Sequence, residues 1–302
     1  MGKKVVFILG IGRSGTTLID LMLGSHPQGF SLGEISKLPE RTRKGKPIAE
    51  NTTFWTDTFT EAEIKKLSLG FGHYRINPLV PLKIERFVRE LINQDEIFNP
   101  YSLLFSKIQA EFLVDSSKYP YWVKKQTQAR EFRSGSLTPF ILWIVRDGRA
   151  VINSYRRVYP NWTFEQKVQR WQQVMLETQD FFQALPDSNK KQIRYEALAS
   201  DPQAVLTDIC RWLGIQFVPE MIEYWTHEHH YICGGQGTRA LIDRYKGLLV
   251  AEGTRRVHGD YYNKADYAIQ LDTRWKDELQ SEDIEKFYTM TDGLNRAYEW
   301  NN

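Results

Sequence analysis

The 302 residues, 41% of them hydrophobic and 13% aromatic, can bury a full core, which excludes a disordered chain and permits one large α/β domain or two smaller ones. A formal net charge of +3, from 40 basic and 37 acidic residues, is too small to imply a nucleic-acid partner, although arginines can still gather locally around an anion. With only Cys210 and Cys233 there is no disulfide framework, so a reducing compartment suffices and a cytoplasmic location is expected.

The chain opens on Met1-Gly2-Lys3-Lys4 and a short apolar run that Arg13 soon follows. The run is too short for a signal-peptide core, so it reads as a buried strand over 4–9. Val6 stands where myristoylation of Gly2 would prefer Ser or Thr, and no stretch approaches the ~20 apolar residues of a membrane span, so no membrane anchor is expected. The sequons at Asn51 and Asn161 would matter only in a secreted protein. Helical spacing follows at 18–23, 78–93, 119–132, 148–157, 163–185 and 202–213, and further strands are predicted over 111–114, 139–145 and 192–195. In the clearest helix, 163–185, Phe164, Val168, Trp171, Met175 and Phe182 recur at helical spacing. Strands alternating with helices predict a P-loop-like, three-layer α/β/α fold: a central parallel sheet covered on both faces, with ligands beyond the carboxyl ends of its strands. The polar stretches 41–71 and 241–268 lack clear periodicity. They are expected as insertions, approximately 41–100 and 240–270, that form a mostly helical lid on a single domain spanning 1–302.

The first strand runs into Gly10-Ile11-Gly12-Arg13-Ser14-Gly15-Thr16-Thr17 and then into an apolar helix. Strand, glycine loop and helix together aim several backbone N–H groups at one anion, with the partial positive charge of the helix N-terminus behind them. Gly10 and Gly15 have Walker-type spacing, yet Thr16 stands where ATP- and GTP-binding loops carry lysine, leaving Arg13 as the one cation inside the loop. A sulfuryl group carries less negative charge than a phosphoryl group, so hydroxyls, amides and an arginine suit its transfer without a metal. Read alone, the loop also fits a plain turn between strand and helix.

The strand over 139–145 ends in Arg146-Asp147-Gly148-Arg149-Ala150-Val151, with Ser154 eight residues after Arg146. On a helix beginning near Gly148, Ser154 falls about two turns in, and Arg146 can fold back over the same face. A guanidinium and a hydroxyl so placed can hold one phosphate. The alternative makes Arg146 and Asp147 a local ion pair and Ser154 an ordinary helix residue.

Taken together, Gly12-Arg13-Ser14-Gly15-Thr16-Thr17-Leu18 and Arg146-Asp147-Gly148-Arg149-Ala150-Val151 with Ser154 resemble the motifs of sulfotransferases that use PAPS (3′-phosphoadenosine 5′-phosphosulfate). The branch resembled most holds tyrosylprotein sulfotransferases and their bacterial relatives. Asp115-Ser116-Ser117-Lys118, Arg194-Tyr195-Glu196-Ala197-Leu198 and Asp201-Pro202 add to the likeness, which is scattered from about 5 to 280. The resemblance implies that Gly12, Arg13, Ser14, Gly15, Thr16 and Thr17 hold the 5′-phosphosulfate, that Arg146 and Ser154 hold the 3′-phosphate, and that Tyr195 lies against adenine. Tyr195 read alone fits a core aromatic equally well.

The same resemblance makes Glu34, in Ser31-Leu32-Gly33-Glu34, the base that takes the acceptor proton; read alone it fits a solvent-exposed acid in the first turn of a short helix. Lys118, at a strand's carboxyl end, is placed to meet the bridging oxygen as the product PAP (3′,5′-ADP) leaves, with Arg13 also bearing on the transfer; a surface lysine is the alternative. His230 to Arg239 resembles the family's late segment over the nucleotide, with Gly235 where the family carries asparagine and Arg239 expected at the 3′-phosphate. His227-Glu228-His229-His230 lacks a second ligand group at matched spacing, and no metal is expected.

The expected acceptor is a hydroxyl, or an amine, of a small metabolite or natural product, with a peptide tyrosine as the alternative. Phe54-Trp55, Tyr74 and Tyr261-Tyr262 are candidates to line its site. Two other classes share the loop. A small-molecule kinase should carry lysine at position 16 and need Mg²⁺, and a non-catalytic nucleotide-binding module should tolerate loss of Glu34 and Lys118.

Overall fold

The structure is a computed structural model that describes residues 2–50, 52–72, 84, 99–248, 261 and 267–300. Among them, five strands form one parallel sheet: β1 (Lys3–Leu9), β2 (Gly29–Gly33), β3 (Phe112–Lys118), β4 (Leu137–Val145) and β5 (Lys190–Arg194), in the order β2-β3-β1-β4-β5. Successive side chains of β1 point to opposite faces, and both faces are covered, which is why 5–9 is apolar without alternation. Val5, Phe7 and Leu9 pack against Tyr101, Trp122, Val151 and Trp171 from helices on one side. Val6 and Ile8 pack against Leu18, Leu21, Leu206 and Ile209 on the other.

The chain leaves β1 toward β2 on one side of the sheet and reaches β4 on the other, so the order reverses beside β1. A crevice therefore opens where the carboxyl ends of β1 and β4 diverge, and the loops starting at Gly10 and Arg146 both enter it.

Several elements differ from the sequence reading. β2, Gly-Phe-Ser-Leu-Gly, is short and bounded by glycines, so no strand pattern announces it. β3 runs on to Lys118, four residues past its predicted end. Tyr195 opens the helix Tyr195–Ser200 instead of ending a strand. The helix predicted over 119–132 is two, Pro120–Thr127 and Arg130–Arg133, parted at Ala129, whose ψ of 153° is extended. The stretch 41–71, though aperiodic in sequence, is largely helical, as expected of that insertion; Glu61–Phe71 carries a capping box between Thr60 and Glu63 and buries Ile64, Leu67 and Phe71. The helix predicted over 78–93 lies outside the described residues, as does most of 249–266. No helix among the described residues is long and apolar enough to cross a membrane.

Candidate active site

The loop after β1 turns by means of residues with positive φ. Gly10 has φ 156° and Gly15 φ 89°, and Arg13 itself stands at φ 76°. Gly15 precedes the helix Thr16–Gly24, whose N-terminus receives no side-chain cap. Among the described residues no side chain therefore satisfies its first amides, which a helix N-terminus can offer to an anion. Beside them the Ser14 hydroxyl is buried and has no hydrogen-bond partner among the described residues, a placement that fits an anion acceptor.

Arg146 folds back from the end of β4 onto this loop. Its Nη1 donates to the Arg13 carbonyl at 2.8 Å, and its guanidinium lies 4.3 Å from the centre of the Tyr195 ring. Arg13 Nε donates to Ser154 Oγ at 3.0 Å. The residues assigned to the two ends of the nucleotide are therefore in direct contact, with Arg13 bridging them.

The local Arg146–Asp147 pair does not form. Asp147 pairs instead with Arg149 at 2.6 Å, caps the helix Gly148–Val158 through Arg149 N, and accepts from Asn295 Nδ2 and Trp300 N. Arg146 meets Asp272, whose carbonyl accepts from Nη2 at 3.0 Å and whose carboxylate is 3.5 Å away. Burial raises the Asp272 carboxyl, but hydrogen bonds from Arg274 and the charges of Arg146, Arg274 and Arg157 prevail and hold it well below the usual range. Arg157 was not singled out in the sequence. Arg157 lies three residues after Ser154, so helical spacing alone could have found it.

On the other side of the loop, Lys118 Nζ donates to Glu34 Oε1, both side chains being largely buried. Lys118 ends β3 at φ 77°, and its carbonyl accepts from Gly10 N at 3.3 Å. Glu34 follows β2, where Ile232 adds an isolated parallel bridge to Gly33. Ile232 N donates to the Leu32 carbonyl at 2.9 Å, and Glu34 N donates to that of Ile232 at 2.6 Å. This docking brings Gly235 N to 2.8 Å from Thr17 Oγ1, closing the late segment over the loop. Beneath, the buried Asp20 carboxylate accepts from Ser31 Oγ on β2 and Ser116 Oγ on β3, both at 2.8 Å.

One cavity of about 420 Å³ is shared by Gly12, Arg13, Thr16, Thr17, Glu34, Lys118, Arg146 and Tyr195. Tyr159, Tyr224, Arg244 and Gln270 complete other parts of its wall. Arg239 is not among them. It pairs with Glu50 at 2.5 Å and lines a separate cavity of about 50 Å³, because packing of the helix Gln236–Tyr245 turns Arg244 inward instead.

Phe54, Trp55 and Tyr261, proposed for the acceptor, are likewise not on that wall. Phe54 stacks on His230 at 4.3 Å, Trp55 is buried and donates from Nε1 to the His230 carbonyl, and Tyr261 lies under Arg274 at 3.7 Å. Tyr74 and Tyr262 fall outside the described residues. His229 Nε2 is 2.6 Å from the Tyr224 carbonyl, and burial pushes the ring down to about 4; His230 Nδ1 meets Thr52 Oγ1 at 2.8 Å. Among the described residues, no three His, Cys, Asp or Glu side chains gather as metal ligands.

A family model described as "Sulfotransferase family" matches residues 5–125 and 138–219, which include the glycine loop, Glu34, Lys118, Arg146, Ser154 and Tyr195. The solved sulfotransferase domain from the curacin biosynthetic pathway is 20% identical, with 99% of each chain covered and a TM-score of 0.54. The sulfotransferase domain from the Synechococcus PCC 7002 olefin synthase is 18% identical, with 99% of this chain and 96% of that one covered and a TM-score of 0.52. At such identities the likeness is one of fold. An uncharacterized protein of Aquifex aeolicus (strain VF5) is 20% identical over 236 residues, 74% of this chain, which spans only 27% of that curated relative's length.

Proposed function

The chain belongs to the sulfotransferase family, and from that premise we propose that it moves the sulfuryl group of PAPS to a hydroxyl of a small-molecule acceptor, leaving PAP. The observation that carries this reading is the convergence of Arg13, Arg146, Glu34, Lys118 and Tyr195 on one cavity, with Arg13 hydrogen-bonded to Ser154.

In this reading the amides and hydroxyls of 12–17 hold the 5′-phosphosulfate, and the Ser14 hydroxyl, buried and without a hydrogen-bond partner among the described residues, supports that role. Arg146 and Ser154 take the 3′-phosphate, with Arg13, which serves the 5′-phosphosulfate, hydrogen-bonded to Ser154 between the two ends, while the Tyr195 ring, 4.3 Å from the Arg146 guanidinium, takes adenine. The acceptor oxygen forms its bond to sulfur as the bond from sulfur to the bridging oxygen breaks. The acceptor proton passes to Glu34, and the leaving electron pair goes onto a phosphate oxygen of PAP. The contact between Lys118 and Glu34 supports a division of work. A lysine within reach of both Glu34 and the loop can turn to the bridging oxygen as charge develops there, leaving Glu34 able to accept the proton.

Calorimetric titration in EDTA tests the donor site. PAP should bind more tightly than 5′-AMP by roughly ten-fold or more, the worth of a charge-assisted phosphate contact, and Arg146→Ala should abolish the difference. Magnesium-dependent ATP binding in preference to PAP would overturn the reading.

A further inference from the structure

One stretch of the cavity wall is aromatic: Tyr159 follows the helix Gly148–Val158, just beyond the Ser154 assigned to the donor. Tyr155, Tyr159 and Trp162 span the end of the helix Gly148–Val158 and the turn after it, and their rings touch in a row. Tyr155 and Tyr159 meet edge to face with centroids 5.2 Å apart, and Tyr159 and Trp162 stack at 4.6 Å with planes 17° apart. The inner end is buried: Tyr155 is 4% exposed, and its hydroxyl lies 3.8 Å from where a β-carbon on Gly12 would stand. The outer end is open, with Tyr159 38% and Trp162 39% exposed. Tyr159 lines the same cavity as Glu34 and Lys118.

The backbone under this row is firmly held. Tyr159 N donates to the Tyr155 carbonyl at 2.8 Å and Trp162 N to that of Tyr159 at 3.1 Å. The Trp162 carbonyl accepts from Lys167 Nζ, and Thr163 with Gln166 forms a capping box that starts the next helix, Phe164–Gln183. Two large rings kept partly in water, the first of them on the wall of the cavity, are a contact surface waiting for an apolar face. Because they are already ordered, a ligand meets them at little further entropic cost.

We propose that this row is the acceptor platform, and that Tyr159 is a specificity-determining residue that takes the face of a planar aromatic framework bearing the acceptor hydroxyl. The inference rests on the function proposed above, since Glu34 and Lys118 are what make this cavity an acceptor site. Its chemistry selects flatness. A saturated alcohol of the same size and apolarity buries similar area but cannot stack.

The test titrates the full chain with 2-naphthol and with its saturated counterpart, decahydro-2-naphthol, each with and without PAP. Wild type should bind 2-naphthol roughly ten-fold more tightly than the saturated alcohol, the scale of an aromatic contact. Tyr159→Ala should lose that preference and Tyr159→Phe should keep it, while PAP affinity is the same in all three proteins. Equal binding of the two alcohols by wild type, or an unchanged preference in Tyr159→Ala, overturns the platform. Failure of PAP to bind while the preference for 2-naphthol still depends on Tyr159 would instead sink the donor reading and leave the platform standing.

Discussion

Gly15 has φ 89°, and a β-carbon on it would stand 2.6 Å from Cδ2 of Tyr195. Any larger residue therefore strains the backbone and pushes the ring expected to hold adenine. Gly15→Ala should cost about 1–3 kcal/mol of stability in urea denaturation, with PAP affinity falling roughly ten-fold or more. Native affinity in that variant would show that ring and loop are not coupled. Single residues were legible where their neighbours in sequence are also their neighbours in space, as in 12–17. Arg239 and Arg244 show the opposite case. They lie five residues apart, about 140° around one helix, and only tertiary packing decides which faces the cavity.

At the scale of elements, Asp20 on the helix Thr16–Gly24 fastens β2 to β3, and so sets Glu34 against Lys118. Burial pushes its carboxyl up to about 7 from 3.8, against the opposing hydrogen bonds of Ser116 and Ser31. The folded state therefore binds a proton that the unfolded chain has released between about pH 4 and 7, and Asp20 makes folding progressively less favourable as pH rises through that window. Asp20→Asn keeps the shape without the charge. Its stability relative to wild type should improve from pH 5 to pH 7, by up to about 1.4 kcal/mol per pH unit, and level off above. Buried groups that shift the other way, such as His229, are common to both proteins and cancel in the difference. A difference that is flat with pH, or that grows against the variant, would remove Asp20 as the titrating group. The elements missed in the sequence share one cause. β2 is a strand by virtue of β3 and Ile232 on either side of it, not of its own glycine-bounded residues.

Over the whole molecule, the last described residues bolt the junction of β4 and the helix Gly148–Val158. Asn295 Oδ1 accepts from Gly148 N at 2.6 Å, Trp300 N donates to Asp147 at 2.9 Å, and Arg194 donates to the carbonyls of Ala297 and Glu299. Removing 293–302 leaves Asp147 short of two donors beneath the segment that aims Arg146. The truncated chain should lose about 3 kcal/mol or more in urea denaturation and bind PAP more weakly, since hydrogen bonds to a buried charge contribute about 1.5–3 kcal/mol each. Unchanged stability and affinity would show the bolt to be idle.

The sequence by itself determined the parallel α/β layering and the two anion motifs. Continuous apolar strands, glycine spacing and the threonine in place of lysine are local signals, readable within a dozen residues. Tertiary structure alone decided that Arg13 reaches Ser154, that Lys118 meets Glu34, that Asp272 gathers three arginines, and that Tyr159 rather than Phe54 faces the cavity. Those partners come from different strands and helices. Their meeting depends on how the two faces of the sheet are packed, which no window along the chain contains.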